Sequence, residues 1–127
     1  MKVVEYMANN IICADCGYNP DLRKKIKEVP VNDIIDENGF DLTGITNIHL
    51  NLAAEDADIE IKDFNNMESG KVYMLIASNG ASTKNQVTFP TASTLYNGDI
   101  VAENNMTIVY KFWTDGYSIY CDRAIYK

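Results

Sequence analysis

Cys13-Ala14-Asp15-Cys16 has the spacing of half a tetrahedral zinc site. His49 and Cys121 bring the chain to four soft ligands in all. A structural site usually joins two such local pairs, and the second pair is absent, so no metal or other cofactor is expected. Three cysteines, an odd number, also argue against a disulfide framework and for reduced thiols. The spacing of a redox Cys-x-x-Cys would need the strand-to-helix junction of a parallel fold, which nothing around Cys13 suggests.

A nucleophilic triad would have to use His49, the single histidine, beside an activated serine, threonine or cysteine, and no stretch resembles a nucleophile elbow. Glu55, Asp56, Asp58, Glu60 and Asp63 could supply a glycosidase carboxylate pair or a calcium site. The calcium loop with its central glycine and terminal glutamate is missing. Asp58, Glu60 and Lys62 fall on one outward strand face, where charge protects a sheet from aggregation. The expectation is a protein that is not an enzyme. Trp113, Tyr117 and Tyr120 gather at the tip of a hairpin and are the candidate ligand-binding residues, able to stack on sugar rings or anchor a protein interface. Core or subunit packing is the plainer use of such rings.

These residues must be positioned by one hydrophobic core, since 127 residues are too few for two. With 46% hydrophobic and 23% charged residues the composition is that of a folded protein. The net charge of −7, from 18 acidic and 11 basic residues, disfavours a phosphate backbone or an anionic membrane as partner. No stretch is apolar for long enough to span a bilayer, and the first residues lack a secretory layout, which points to a cytoplasmic site of synthesis.

The chain changes character near Gly44. Before it, Asn19-Pro20-Asp21 reads as a helix start, predicting a short basic helix over about 20–28 that Pro30 ends. After it, strands are expected where Ile48, Leu50 and Leu52 alternate with polar residues, at 58–62, at 71–78 as an apolar central strand, and at 86–89. The last two strands, 106–113 and 117–125, flank Asp115-Gly116 as a two-residue turn. That register sets Phe112 opposite Ile119, Tyr110 opposite Cys121 and Ile108 opposite Arg123, leaving Cys121 on the core face, whereas His49 falls on a polar one. Seven or so short strands suggest an all-β fold, an antiparallel, jelly-roll-like β-sandwich over 45–127, preceded by a helix-containing arm over 1–44. No repeat of solenoid length is visible in the sequence.

Ile45-Thr46-Asn47-Ile48-His49-Leu50, Met67-Glu68-Ser69-Gly70-Lys71-Val72-Tyr73-Met74-Leu75, Val87-Thr88-Phe89-Pro90, Asn97-Gly98-Asp99 and Tyr110-Lys111-Phe112-Trp113-Thr114-Asp115-Gly116 form a connected pattern. Over about 45–127 it resembles the small β-sandwich modules of tailed-phage virion proteins: tail fibres, head fibres and auxiliary capsid proteins. The resemblance carries no catalytic motif. It implies a virion protein assembled in the bacterial host cytoplasm, oligomeric and often three-fold, attached through one end of the chain to other virion proteins. Residues 1–44 depart from the pattern and suit a docking segment. A receptor module for host-surface glycans is the alternative that the same resemblance leaves open.

Overall fold

The computed structural model describes residues 26–91, 93–95 and 100–127. Within them the chain forms β1 (Ile26–Glu28), α1 (Val31–Ile34), β2 (Phe40–Asp41), β3 (Asn47–Asn51), β4 (Ile59–Glu60) and β5 (Phe64–Asn65). It continues through β6 (Tyr73–Ser78), β7 (Val87–Thr88), β8 (Ser93–Leu95), β9 (Thr107–Thr114) and β10 (Ile119–Tyr126). The architecture is mostly β with one short helix.

The antiparallel sandwich expected from the spacing of strands is not what forms. Six strands make one mixed sheet in the order β1-β3-β6-β9-β10-β8. The β1–β3, β3–β6 and β10–β8 pairs are parallel, and only β6–β9 and β9–β10 are antiparallel. Two further parallel pairs, β2–β5 and β4–β7, stand apart from this sheet. The chain therefore winds in circuits. It leaves β1, passes α1 and β2, and returns beside β1 as β3. It then passes β4 and β5 and returns again as β6. Partners are 21 and 27 residues apart in the main sheet (Ile26 with Asn47, Asn47 with Met74), 24 in β2–β5 (Phe40 with Phe64) and 28 in β4–β7 (Ile59 with Val87). Parallel neighbours need a connection of this length, because the chain must come back to the same end before pairing again.

Inward residues stack circuit upon circuit. Ile48 lies beside Leu75, Leu50 beside Ala77, Phe40 beside Phe64 and Ile59 beside Val87, and all eight are buried. Phe112 on β9 joins the sides. Its ring stacks on Phe64 at 4.7 Å and on Tyr73 at 5.5 Å, and meets Phe89 edge-on at 5.3 Å. Polar side chains tie the loops in the same way. Asn85 Nδ2 donates to the Leu52 and Glu55 carbonyls, and Gln86 holds the Ile100 carbonyl and the Ala102 amide.

The helix expected over about 20–28 lies outside the described residues up to residue 25, and its last three residues are strand. Ile26–Glu28 pairs with Asn47–His49, a ladder that outweighs a basic helix with only a two-residue apolar stripe. Pro30, expected to stop a helix, instead precedes α1, where its fixed φ of −59° and missing N–H cost nothing. Residues before and after Gly44 share one core: Val29, Ile34, Phe40 and Leu42 pack in the same cluster as Ile48 and Phe112. The Asn97-Gly98-Asp99 part of the phage-like pattern lies outside the described residues.

Because Phe112 is fully buried at the junction of three rings, Phe112→Ala should destabilise the protein by about 3–5 kcal/mol in urea unfolding. A loss under about 1 kcal/mol would mean that the circuits close without it.

Candidate functional site

The β9–β10 hairpin carries the residues the sequence singled out, with a register shifted from expectation. Ile119 pairs with Thr114, Cys121 with Phe112, Arg123 with Tyr110 and Ile125 with Ile108. The loop is thus four residues, 115–118, and not the two of Asp115-Gly116. The shift is two residues, so every side chain keeps its expected face. Local hydrogen bonds explain it. Asp115 Oδ1 accepts from the amides of Tyr117 (2.8 Å) and Ser118 (2.9 Å), and Thr114 Oγ1 donates to the Ser118 carbonyl (2.7 Å). Gly116 adopts φ 99° at the turn, which suits glycine.

This register has a consequence that the two-residue turn would not produce: Trp113 comes directly opposite Tyr120. Their rings stack at 6.3 Å with an interplanar angle of 25°. Tyr120 also donates its hydroxyl to Asp115 Oδ2 at 2.9 Å. Tyr117, the third aromatic, is not in the stack; it stands on the loop, 92% exposed.

The pair belongs to a larger surface. Along β3, β6, β9 and the first half of β10 buried residues alternate with half-buried or exposed ones, and the latter set forms the outer face. Register aligns Ile26, Asn47, Met74, Lys111 and Asp122 in one row, and Glu28, His49, Ile76, Val109 and Ala124 in the next. Met74, Ile76, Val109, Trp113 and Tyr120 make this face partly apolar, and the Lys111–Asp122 pair lies between the Trp113–Tyr120 and Val109–Ala124 pairs. Reading strands singly missed the patch, since it exists only once β3, β6, β9 and β10 lie side by side. The apolar alternation of Met74 with Ile76 was its one signal in the sequence.

The remaining candidates do not converge. His49 is on the outer face, where its Nε2 lies 3.3 Å from Ser78 Oγ, and Thr107 Oγ1 donates to the same hydroxyl at 3.3 Å. Among the described residues no carboxylate lies within ion-pair distance of His49. Cys121 is on the inner face, fully buried, and burial pushes its thiol up to about 12, with Arg123 opposing and Asp122 adding to the shift. The sheet separates these two would-be ligands. Cys13 and Cys16 lie outside the described residues.

The acidic run is spread over separate backbone tasks. Asp58 accepts from the Gln86 amide, Asp63 from its neighbour Phe64, and Glu60 pairs with Lys62 at 3.1 Å. Among the described residues no three His, Cys, Asp or Glu side chains gather to hold a metal ion. The more strongly organised carboxylate is Asp41, which the sequence did not single out. Hydrogen bonds from Asn66, the Thr43 hydroxyl and the Thr43 amide hold it down at about 2.

Asp115 is likewise held below its ordinary pKa of 3.8 by the Ser118 and Tyr117 amides and the Tyr120 hydroxyl. Folding therefore weakens its proton affinity, so its contribution to stability is complete above that ordinary value and is lost as pH falls through the native one. Asp115→Asn should remove part of the acid-induced loss of stability and disorder the Trp113–Tyr120 stack, as followed by near-ultraviolet circular dichroism. An unchanged acid limb and aromatic signal would show that the carboxylate does not set the loop. No protein-family model matches this chain, and no curated protein and no solved structure is significantly similar to it.

Proposed function

We propose that the protein is a non-enzymatic structural component of a tailed-phage virion, of the auxiliary capsid or fibre type, and that it works by binding copies of itself and other virion proteins. The virion assignment rests on the sequence resemblance; the observation that supports self-association is the outer face of the six-stranded sheet. A largely parallel sheet ordinarily has both faces covered, and its strands are then apolar on both sides. β6 meets that description over Tyr73–Ile76, with Tyr73 and Leu75 inward and Met74 and Ile76 outward, and β9 meets it in part, with Tyr110 and Phe112 inward and Val109 and Trp113 outward on either side of the exposed Lys111. A second copy is the occupant that fits, because the outer face combines Met74, Ile76, Val109 and Trp113 with charge of both signs, so a like face would cover its apolar part without net repulsion.

Light scattering on the full chain tests this. Wild type should form a trimer or another closed oligomer, and Ile76→Lys with Val109→Asp, opposite charges at facing positions, should yield a monomer whose unfolding free energy stays within about 1 kcal/mol per substitution of wild type. A wild-type chain that stays monomeric and never joins particles, or an outer-face variant that still assembles, would defeat the proposal.

A glycan-binding module is the second reading, favoured by the Trp113–Tyr120 stack beside the exposed Tyr117. Under that reading Trp113→Ala abolishes binding on a glycan array. Equal array signals for the two proteins would remove it.

A further inference from the structure

Two Asn-Gly pairs lie within the described residues, Asn38-Gly39 and Asn79-Gly80, and the fold restrains them unequally: both glycine amides are hydrogen-bonded, and only the Asn79 carboxamide is held as well. In such a pair the backbone nitrogen of the glycine, unhindered by a side chain, can attack the asparagine Cγ. The bond from Cγ to the side-chain nitrogen breaks, ammonia leaves, and a five-membered succinimide forms. Water then opens the ring at either carbonyl, giving aspartate or isoaspartate. The step needs a carboxamide free to rotate and a glycine nitrogen free to lose its proton.

Asn79 is denied both. It is 8% exposed; its Nδ2 donates to the Asn85 carbonyl at 3.1 Å and its Oδ1 accepts the Asn85 amide at 2.8 Å. The Gly80 amide donates to Thr83 Oγ1 at 2.8 Å, and Ala53 Cβ crowds the glycine so closely that an added Cβ would sit 2.9 Å from it. Asn38 is exposed, and its carboxamide makes no hydrogen bond to a described residue. Only the turn bond from the Gly39 amide to the Asp36 carbonyl, at 3.0 Å, restrains its reactive nitrogen.

The glycine that makes the pair labile is also one the turn requires. Gly39 has φ 89°, and a Cβ there would lie 2.8 Å from Asn65 Nδ2, the group that donates to the Asn38 carbonyl at 2.7 Å. We propose that Asn38 is a spontaneous deamidation site of the folded protein, whereas Asn79 is protected until its loop opens. Conversion adds a negative charge beside Asp36 and Glu37. In the isoaspartate product the oxygen that Asn65 grips becomes part of a free carboxylate, and the main chain runs through Cβ and Cγ, so the turn loosens its hold on β5.

Peptide-level mass spectrometry of the full chain, aged at mildly alkaline pH in buffer and in concentrated urea, tests the proposal. In urea both asparagines should convert at similar rates. In buffer Asn38 should convert at least about tenfold faster than Asn79, whose reaction must wait for local opening. Asn38→Gln should remove that product, and Thr83→Val, which frees the Gly80 amide, should speed Asn79. The proposal is overturned if Asn79 keeps pace with Asn38 in buffer, or if Asn38 stays intact in buffer while converting in urea. The Asn97-Gly98 peptide is resolved separately and bears on neither comparison.

Discussion

The backbone of Tyr73–Ser78 is paired on both sides, parallel to Asn47–Asn51 and antiparallel to Thr107–Thr114. Everything else in the molecule accommodates that double pairing. A parallel neighbour obliges the chain to travel round and come back, and the residues between β3 and β6 must do so without leaving buried backbone groups unpaired. Those residues meet the requirement with short parallel pairs, β4 with β7 and β5 with β2, and with asparagine and glutamine side chains that accept and donate where strands end. On the antiparallel side β9 and β10 form a hairpin, and β8 pairs parallel to β10 beyond it.

The same double pairing explains where the apolar surface goes. A strand at the centre of a sheet has no edge exposed to water, so its two faces are the only outlets for side chains. The inner face is filled by rings from separate circuits meeting at Phe112, an arrangement that pins the parallel circuits to the hairpin. The outer face retains methionine, isoleucine, valine and a stacked Trp113–Tyr120 pair at half burial.

Loop chemistry, and not strand propensity, decides the detail of the hairpin. Asp115 gathers two amides and a tyrosine hydroxyl, and Thr114 bridges the ends of the loop, so four residues are better satisfied there than two. The resulting two-residue shift preserves the faces and changes the partners. A stacked aromatic pair therefore arises from hydrogen bonds made several residues away.

The sequence by itself determined that the chain is mostly β, that β3 is half-buried, that 71–78 is a central strand, and which faces of β9 and β10 enter the core. Alternation of apolar and polar residues encodes these directly, because a side chain's face depends only on its place along its own strand. Tertiary structure decided that β1 is strand and not helix, that neighbours run parallel, and that Trp113 meets Tyr120. The circuits left no sequence repeat, since stacked positions need only be apolar: Ile48 lies on Leu75 and Leu50 on Ala77, and the circuits differ in length. The outer face was illegible for the same reason. Pairing partners 21 to 28 residues apart are chosen by the core that they close together, and no local pattern records that choice.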